Sequence, residues 1–229
     1  MDSNLEGAVS LYIEQINKKR LLMIFRFFSV CTKADPAALL TVKVPFEGDM
    51  VDIEKAADVT VQDDMTFLLV PHAGCDISDL GAAVAEVHPE LKQKILVMRV
   101  SEDSDETALI LELVVPDIDK MRHDILLEAV DTYFKAFEAS VEADRALTMA
   151  RVAKYLLSAS DEDKDELKQA LDDQTAACMD AAGESVDKKK GEIEAAYEAY
   201  QAEHEDKMAS LQEKAAAASD AAASTMKME

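Results

Sequence analysis

Hydrophobic positions along the chain switch between helical and strand spacing. From residue 3 to about 30, Leu5, Val9, Tyr12, Ile13 and Ile16 recur at helical spacing and form one apolar stripe. After Arg20 the stripe broadens to Leu21, Leu22, Met23, Ile24, Phe25, Phe27, Phe28 and Val30, which predicts a helix end buried on more than one side. Pro36 closes this helix, because the residue before a proline avoids helical dihedrals. Residues 38–46 alternate and read as a strand, ended by the turn Glu47-Gly48-Asp49. Strands follow at 59–61 and 66–70, joined by Gln62-Asp63-Asp64-Met65. Leu80, Val84 and Val87 predict a helix over 79–90, capped by Asp76 or Ser78. Two β-rich runs, 95–100 and 107–115, flank an acidic turn at 101–106 and read as a hairpin.

Pro116 ends that unit, and helical spacing returns. Ile118, Met121, Ile125, Leu126, Ala129, Tyr133, Phe137, Val141, Leu147, Val152, Tyr155 and Leu156 supply the apolar positions of a helix over 117–157. Ser160 before Asp161, Glu162 and Asp163 is a helix start, with a capping hydroxyl and acids at the positive end of the dipole. A third long helix runs from 161 to beyond 200, carrying Leu167, Leu171, Ala177, Met179, Val186, Ile193 and Tyr197. Gly183 and Gly191 weaken it by roughly 1 kcal/mol each relative to Ala. Residues 215–229, dominated by Ala, Ser, Met and Lys, read as a fraying helix end or a disordered tail.

Three amphipathic helices must bury their stripes on one another. The expected fold class is therefore α+β: an elongated three-helix bundle with an inserted α/β domain. The bundle takes residues 1–33 and 117–200, the insert takes 36–116, and 201–229 is an acidic, Ala-rich extension. The chain crosses between the two bodies at Lys33 to Pro36 and at Val115 and Pro116, which makes these residues hinge candidates. An insert whose ends both return to one bundle requires the two crossings to lie side by side.

Composition narrows the function. The 229 residues carry 24 Lys and Arg against 47 Asp and Glu, a net charge of −23. Residues 1–33 hold five basic and three acidic groups; everything after them is strongly acidic. Such a surface repels phosphate, so direct nucleic-acid binding is expected to be weak or absent. The three cysteines, Cys31, Cys75 and Cys178, form no C-x-x-C, and His72, His88, His123 and His204 share no metal-ligand spacing. Surface or packing roles are expected for them, with no metal and no cofactor. No Gly-rich phosphate loop, nucleophile motif or acid/base pair at telling spacing is visible, which argues against an enzyme. The longest apolar run, 21–30, is interrupted by Arg26 and is too short to span a bilayer. Asp2, Glu6 and Glu14 do not read as a transit peptide.

The stretch Pro36-Ala37-Ala38-Leu39-Leu40, then Gly48, then Ala57-Asp58-Val59-Thr60-Val61-Gln62-Asp63 resembles the ribosome recycling factor family. That family pairs a proline and a Leu-Leu with a glycine turn and an Ala-Ser-Val-Thr-Val-Glu-Asp segment. A second match is the acidic turn at 160–163 with Leu171 and Ala176. The resemblance covers about residues 5–195. It implies a three-helix bundle with a hinged α/β domain. The implied role is splitting of the post-termination ribosome together with the translocating elongation factor, without active-site chemistry.

The departures are chemical. Where the family carries Gly-Arg-Ala-Ser-Pro, this chain reads Thr32-Lys33-Ala34-Asp35-Pro36. Lys33 keeps a charge without the bidentate fork of arginine. The family's arginine-rich stretch in the second bundle helix is here Val141-Glu142-Ala143-Asp144-Arg145. Lys33 and Arg145 are thus the candidate residual rRNA contacts, with Arg145 also able to pair with Glu142 or Asp144 on its own helix. Lys188-Lys189-Lys190 is a phosphate patch or, with Asp187, Glu192 and Glu194 around it, a solvated face. The family's basic first-helix end has become apolar, which makes Phe25, Phe27, Phe28 and Val30 a candidate partner interface. The competing reading puts them in the bundle core. Neighbouring positions on a helix point in different directions, so three of them cannot all face one core.

Two functions fit. One is a repurposed relative, a structural or assembly subunit of a large complex held by protein–protein contacts. The other is an active recycling factor of bacterial-type or organellar translation. The expected location is an organellar matrix, mitochondrion ahead of plastid, or a bacterial cytoplasm.

Overall fold

The computed structural model describes residues 3–99 and 107–226, with side chains through 208 and at 210. Helix α1, Ser3–Phe27, buries Leu5, Tyr12, Ile16, Met23 and Phe27 on one stripe. Its regular turns stop three residues short of the expected end. Phe28, Ser29 and Val30 donate to Phe25, Arg26 and Phe27, so the last turn tightens to three-residue bonds that satisfy otherwise orphaned carbonyls.

The strand expected over 38–46 is corrected. Residues Pro36–Thr41 form a 3-10 helix, and only Lys43–Phe46 is extended, as β1. Asp35 accepts from the Ala37 N–H, and Pro36 supplies the fixed φ of a first helical residue. Local capping therefore overrides the short alternating pattern. Strand β2, Asp49–Asp52, pairs antiparallel with β1 across a tight turn. Glu47 and Gly48 both have positive φ there, the combination a two-residue hairpin turn needs. One helical turn, α2 (Ile53–Ala56), leads on into the main sheet.

That sheet is antiparallel, in the order β3-β4-β6-β5. Its strands are β3 Ala57–Asp63, β4 Thr66–Pro71, β5 Lys92–Arg99 and β6 Thr107–Val114. Val59, Leu69, Leu111 and Ile95 align in one row across it. Helix α3, Ile77–Val87, is capped by Asp76, whose side chain accepts from the Ser78 N–H. Strands β5 and β6 pair antiparallel, as the expected hairpin requires; the acidic turn at 101–106 lies outside the described residues.

Two long helices complete the chain. Helix α4, Lys120–Leu156, starts at Asp119, which accepts from the Arg122 N–H. Helix α5, Asp161–Met226, starts at Ser160 in the expected way: its Oγ accepts from the Asp163 N–H and donates to the Asp163 carboxylate. It runs unbroken through Gly183 and Gly191 and on through the Ala-rich stretch to Met226. Its 66 residues span about 100 Å at 1.5 Å per residue.

Burial falls into two apolar cores. One, from α1, α4 and α5, joins Leu5, Tyr12, Ile16, Phe27, Val30 and Ile118 to Phe137, Val141, Leu167, Leu171 and Ile193. The other starts at Cys31 and Ala34 and takes Leu39, Phe67, Leu69, Leu80, Leu111, Leu113 and Val115. The change from one core to the other comes between Val30 and Cys31 on the outward crossing, and between Val115 and Ile118 on the return. Among the described residues, no helix is long and apolar enough to cross a membrane.

Candidate functional site at the two chain crossings

The two crossings run next to each other, pinned by adjacent carbonyls of the β3–β4 turn. Ala34 N–H donates to Asp64 O at 2.7 Å, and Val115 N–H donates to Met65 O at 2.8 Å. Val115 is buried in the α/β core, so this hinge candidate is anchored on the α/β side of the crossing. Arg122, in the first turn of α4, closes the arrangement from the bundle side. Its guanidinium donates to Cys31 O at 2.7 Å and to Pro116 O. One planar cation thus holds a carbonyl on each crossing, a geometry that the point charge of lysine cannot copy.

A second group of side chains meets beside Arg122. His88 caps the C-terminus of α3, its N–H donating to Val84 O. Its imidazole is buried and faces two acceptors: Nε2 lies 2.9 Å from Ala38 O and Nδ1 lies 3.0 Å from Glu90 Oε1. Burial alone disfavours the imidazolium, but the Glu90 and Ala38 hydrogen bonds outweigh it and raise the His88 pKa. Burial likewise pushes Glu90 up, and its bond to His88 brings it below the ordinary carboxylate value. The Cys31 thiol is pushed up to about 12, by burial first and then by the Glu90 charge. Cys31, His88 and Glu90 offer ligand atoms that all lie within 4.8 Å of one another. Sequence spacing did not reveal this cluster, because its members lie on segments far apart in the chain. The His88-x-Glu90 pair was its one local trace.

The apolar end of α1 divides by face. Phe27 and Val30 are 5% and 3% exposed, inside the bundle core. That corrects their candidacy as interface residues: helical rotation turns both inward, where a partner cannot reach them. Phe28 is 40% exposed and meets Phe25, half-buried, edge-on at 6.1 Å. Leu21 and Leu22 are exposed beside them. Lys33 is exposed and lines a groove with Phe28, Asp35, Lys188, Lys189 and Glu192.

Among the described residues, three basic side chains of the bundle pair between helices: Lys19, Arg145 and Lys190. Arg145 bonds Asp172 of α5, not Glu142 or Asp144 of its own helix, which corrects the intrahelical alternative. Asp144 instead lies 3.7 Å from Lys19 of α1. Lys190 pairs with Asp131 of α4 at 2.6 Å, and Lys189 with Glu192 at 3.3 Å. His123 packs against Tyr197 with ring centroids 4.4 Å apart.

No family model matches the chain, and no curated protein matches it by sequence. Solved structures do. The solution structure of the ribosome recycling factor superposes with a TM-score of 0.64 at 15% identity, covering 85% of this chain and 100% of that one. Models of the T. thermophilus ribosome recycling factor and the E. coli elongation factor G bound to the E. coli post-termination complex give a TM-score of 0.48 at 20% identity, over 84% of this chain and 98% of that one. The first likeness shows the fold: the chain has the ribosome recycling factor architecture, a helical bundle carrying an inserted α/β unit.

Proposed function

We propose that this chain is a ribosome-recycling-factor-like protein of bacterial-type translation, in a bacterial cytoplasm or an organelle, that grips protein rather than RNA. In this reading the bundle of 1–33 and 117–200 and the α/β body of 36–116 are jointed at Lys33, Pro36, Val115 and Pro116. The chain then serves as a structural component of a larger assembly, with a mitochondrial complex ahead of a plastid one.

The observation that carries the reading is the fate of Arg145. A recycling factor's arginines at that place must be free to meet phosphate, whereas Arg145 is tied to Asp172, with Asp144 and Lys19 alongside. The net charge of −23 adds a repulsive field. The side of α1 carrying Leu21, Leu22, Phe25 and Phe28 offers apolar surface to a protein partner.

The second reading, an active factor that splits post-termination ribosomes, draws on the fold likeness over the full length of a recycling factor. Titration against large ribosomal subunits at two salt concentrations separates the two. Each phosphate contact adds about 0.9 to the slope of log affinity against log salt. The proposed reading expects weak binding with a shallow slope, unchanged by Arg145→Ala. Tight binding that falls steeply with salt and is lost in Arg145→Ala establishes the second.

A further inference from the structure

We propose that Cys31, His88 and Glu90 form a binding site for a zinc-class divalent ion at the junction of the two chain crossings. The inference is independent of whether the bundle grips RNA or protein. Its three ligands come from separate places: Cys31 from the chain leaving α1, His88 from the C-terminus of α3, and Glu90 two residues further on.

The histidine is already oriented as a ligand. Ala38 O can only accept, so His88 Nε2 carries the proton and donates to it. A backbone carbonyl holding one ring nitrogen in this way is the usual outer support of a metal-bound histidine, and it directs the other nitrogen at the ion. That other nitrogen, Nδ1, faces Glu90 Oε1 at 3.0 Å, with Cys31 Sγ within 4.8 Å of both. Tetrahedral zinc at its usual bond lengths separates neighbouring ligand atoms by about 3.3–3.8 Å. The three donor atoms thus already stand close to that spacing.

The donor set selects the ion. Thiolate plus imidazole suits zinc and its borderline-soft relatives, whereas calcium and magnesium ask for oxygen alone. Cys31 and His88 are 3% and 1% exposed, while the Glu90 side chain is 34% exposed. Of the three, Glu90 alone lines the groove of Val87, Pro116 and Arg122, so an ion would reach the cluster from the Glu90 side.

Charge balance removes the main objection, the neighbouring Arg122. Before binding, one proton lies between His88 and Glu90 and another on the Cys31 sulfur. The dication displaces both to solvent, giving neutral imidazole, thiolate and carboxylate. Two positive charges leave as two arrive, so the net charge facing Arg122 is unchanged.

The test uses the full chain, stripped of metal and titrated with Co(II). One equivalent is expected to raise a thiolate-to-cobalt charge-transfer band, with visible bands of four-coordinate intensity, and Zn(II) is expected to abolish both. Zn(II) addition to the stripped protein is expected to release two protons to a weak indicator buffer. Cys31→Ser is expected to remove the charge-transfer band, and Glu90→Gln to weaken binding by about 10-fold or more. Cys75→Ser and Cys178→Ser leave the band in place. A stripped wild-type chain that shows no charge-transfer band at millimolar Co(II) overturns the proposal, as does a band that survives Cys31→Ser. Far-ultraviolet dichroism identifies any variant that fails to fold, and the wild-type titration decides by itself in that case.

Discussion

Arg122 donates to the carbonyl of Cys31 at 2.7 Å across 91 positions of sequence, and this bond joins the start of α4 to the chain that leaves α1. The same guanidinium holds Pro116 O. Arg122→Ala strips two part-buried carbonyls of a charged donor and is expected to cost about 2–3 kcal/mol in urea denaturation. Arg122→Lys is expected to recover less than half, since an ammonium cannot fork to both carbonyls. A near-neutral Arg122→Ala would show that the crossings are held elsewhere.

Phe27 and Phe28 are neighbours with opposite fates. Phe27→Ala opens a cavity in the bundle core and is expected to cost about 3–5 kcal/mol. Phe28→Ala gives up surface contact and one edge-on ring pair, about 1 kcal/mol or less. Equilibrium denaturation of the two variants checks the inward rotation of the helix end; equal losses contradict it.

Arg145 and Asp172 are 40% and 45% exposed in their side chains, so solvent screens the pair. A double-mutant cycle is expected to give a coupling below about 1 kcal/mol, shrinking with added salt.

His72 is held between two acceptors, Lys55 O and Asp58 Oδ1, each at 3.1 Å. The Asp58 hydrogen bond first, and the Lys55 carbonyl second, raise its pKa above the ordinary imidazole value. Its contribution to stability is therefore fully present below the unfolded pKa and is lost as pH rises through the folded one. An NMR titration is expected to place the His72 midpoint above 6.5, the ordinary value, with Asp58→Asn returning it toward that value. A midpoint at or below it in the wild type contradicts the bond.

Much of the architecture was legible because its signals are local. The caps at Asp76 and Ser160 and the stripe of α1 each lie within a few residues. The 3-10 turn at Pro36–Thr41 lay under the short alternating pattern of 38–46, which the Asp35 cap and Pro36 override. Strand β2 is only four residues long and shows no alternation.

The sequence by itself determined which segments form the three long helices and the main-sheet strands, that the bundle is interrupted by an α/β insert, and that the chain is acidic. Only the tertiary structure decided that Phe27 turns inward while Phe28 does not, that Arg145 chooses Asp172 over its helical neighbours, and that Cys31 meets His88 and Glu90. The reason is range. Capping and periodicity act within one or two turns, so they are written in consecutive residues. The rotation of a helix about its axis, and the choice of charge partner, depend on how separate elements pack, and no single segment encodes that.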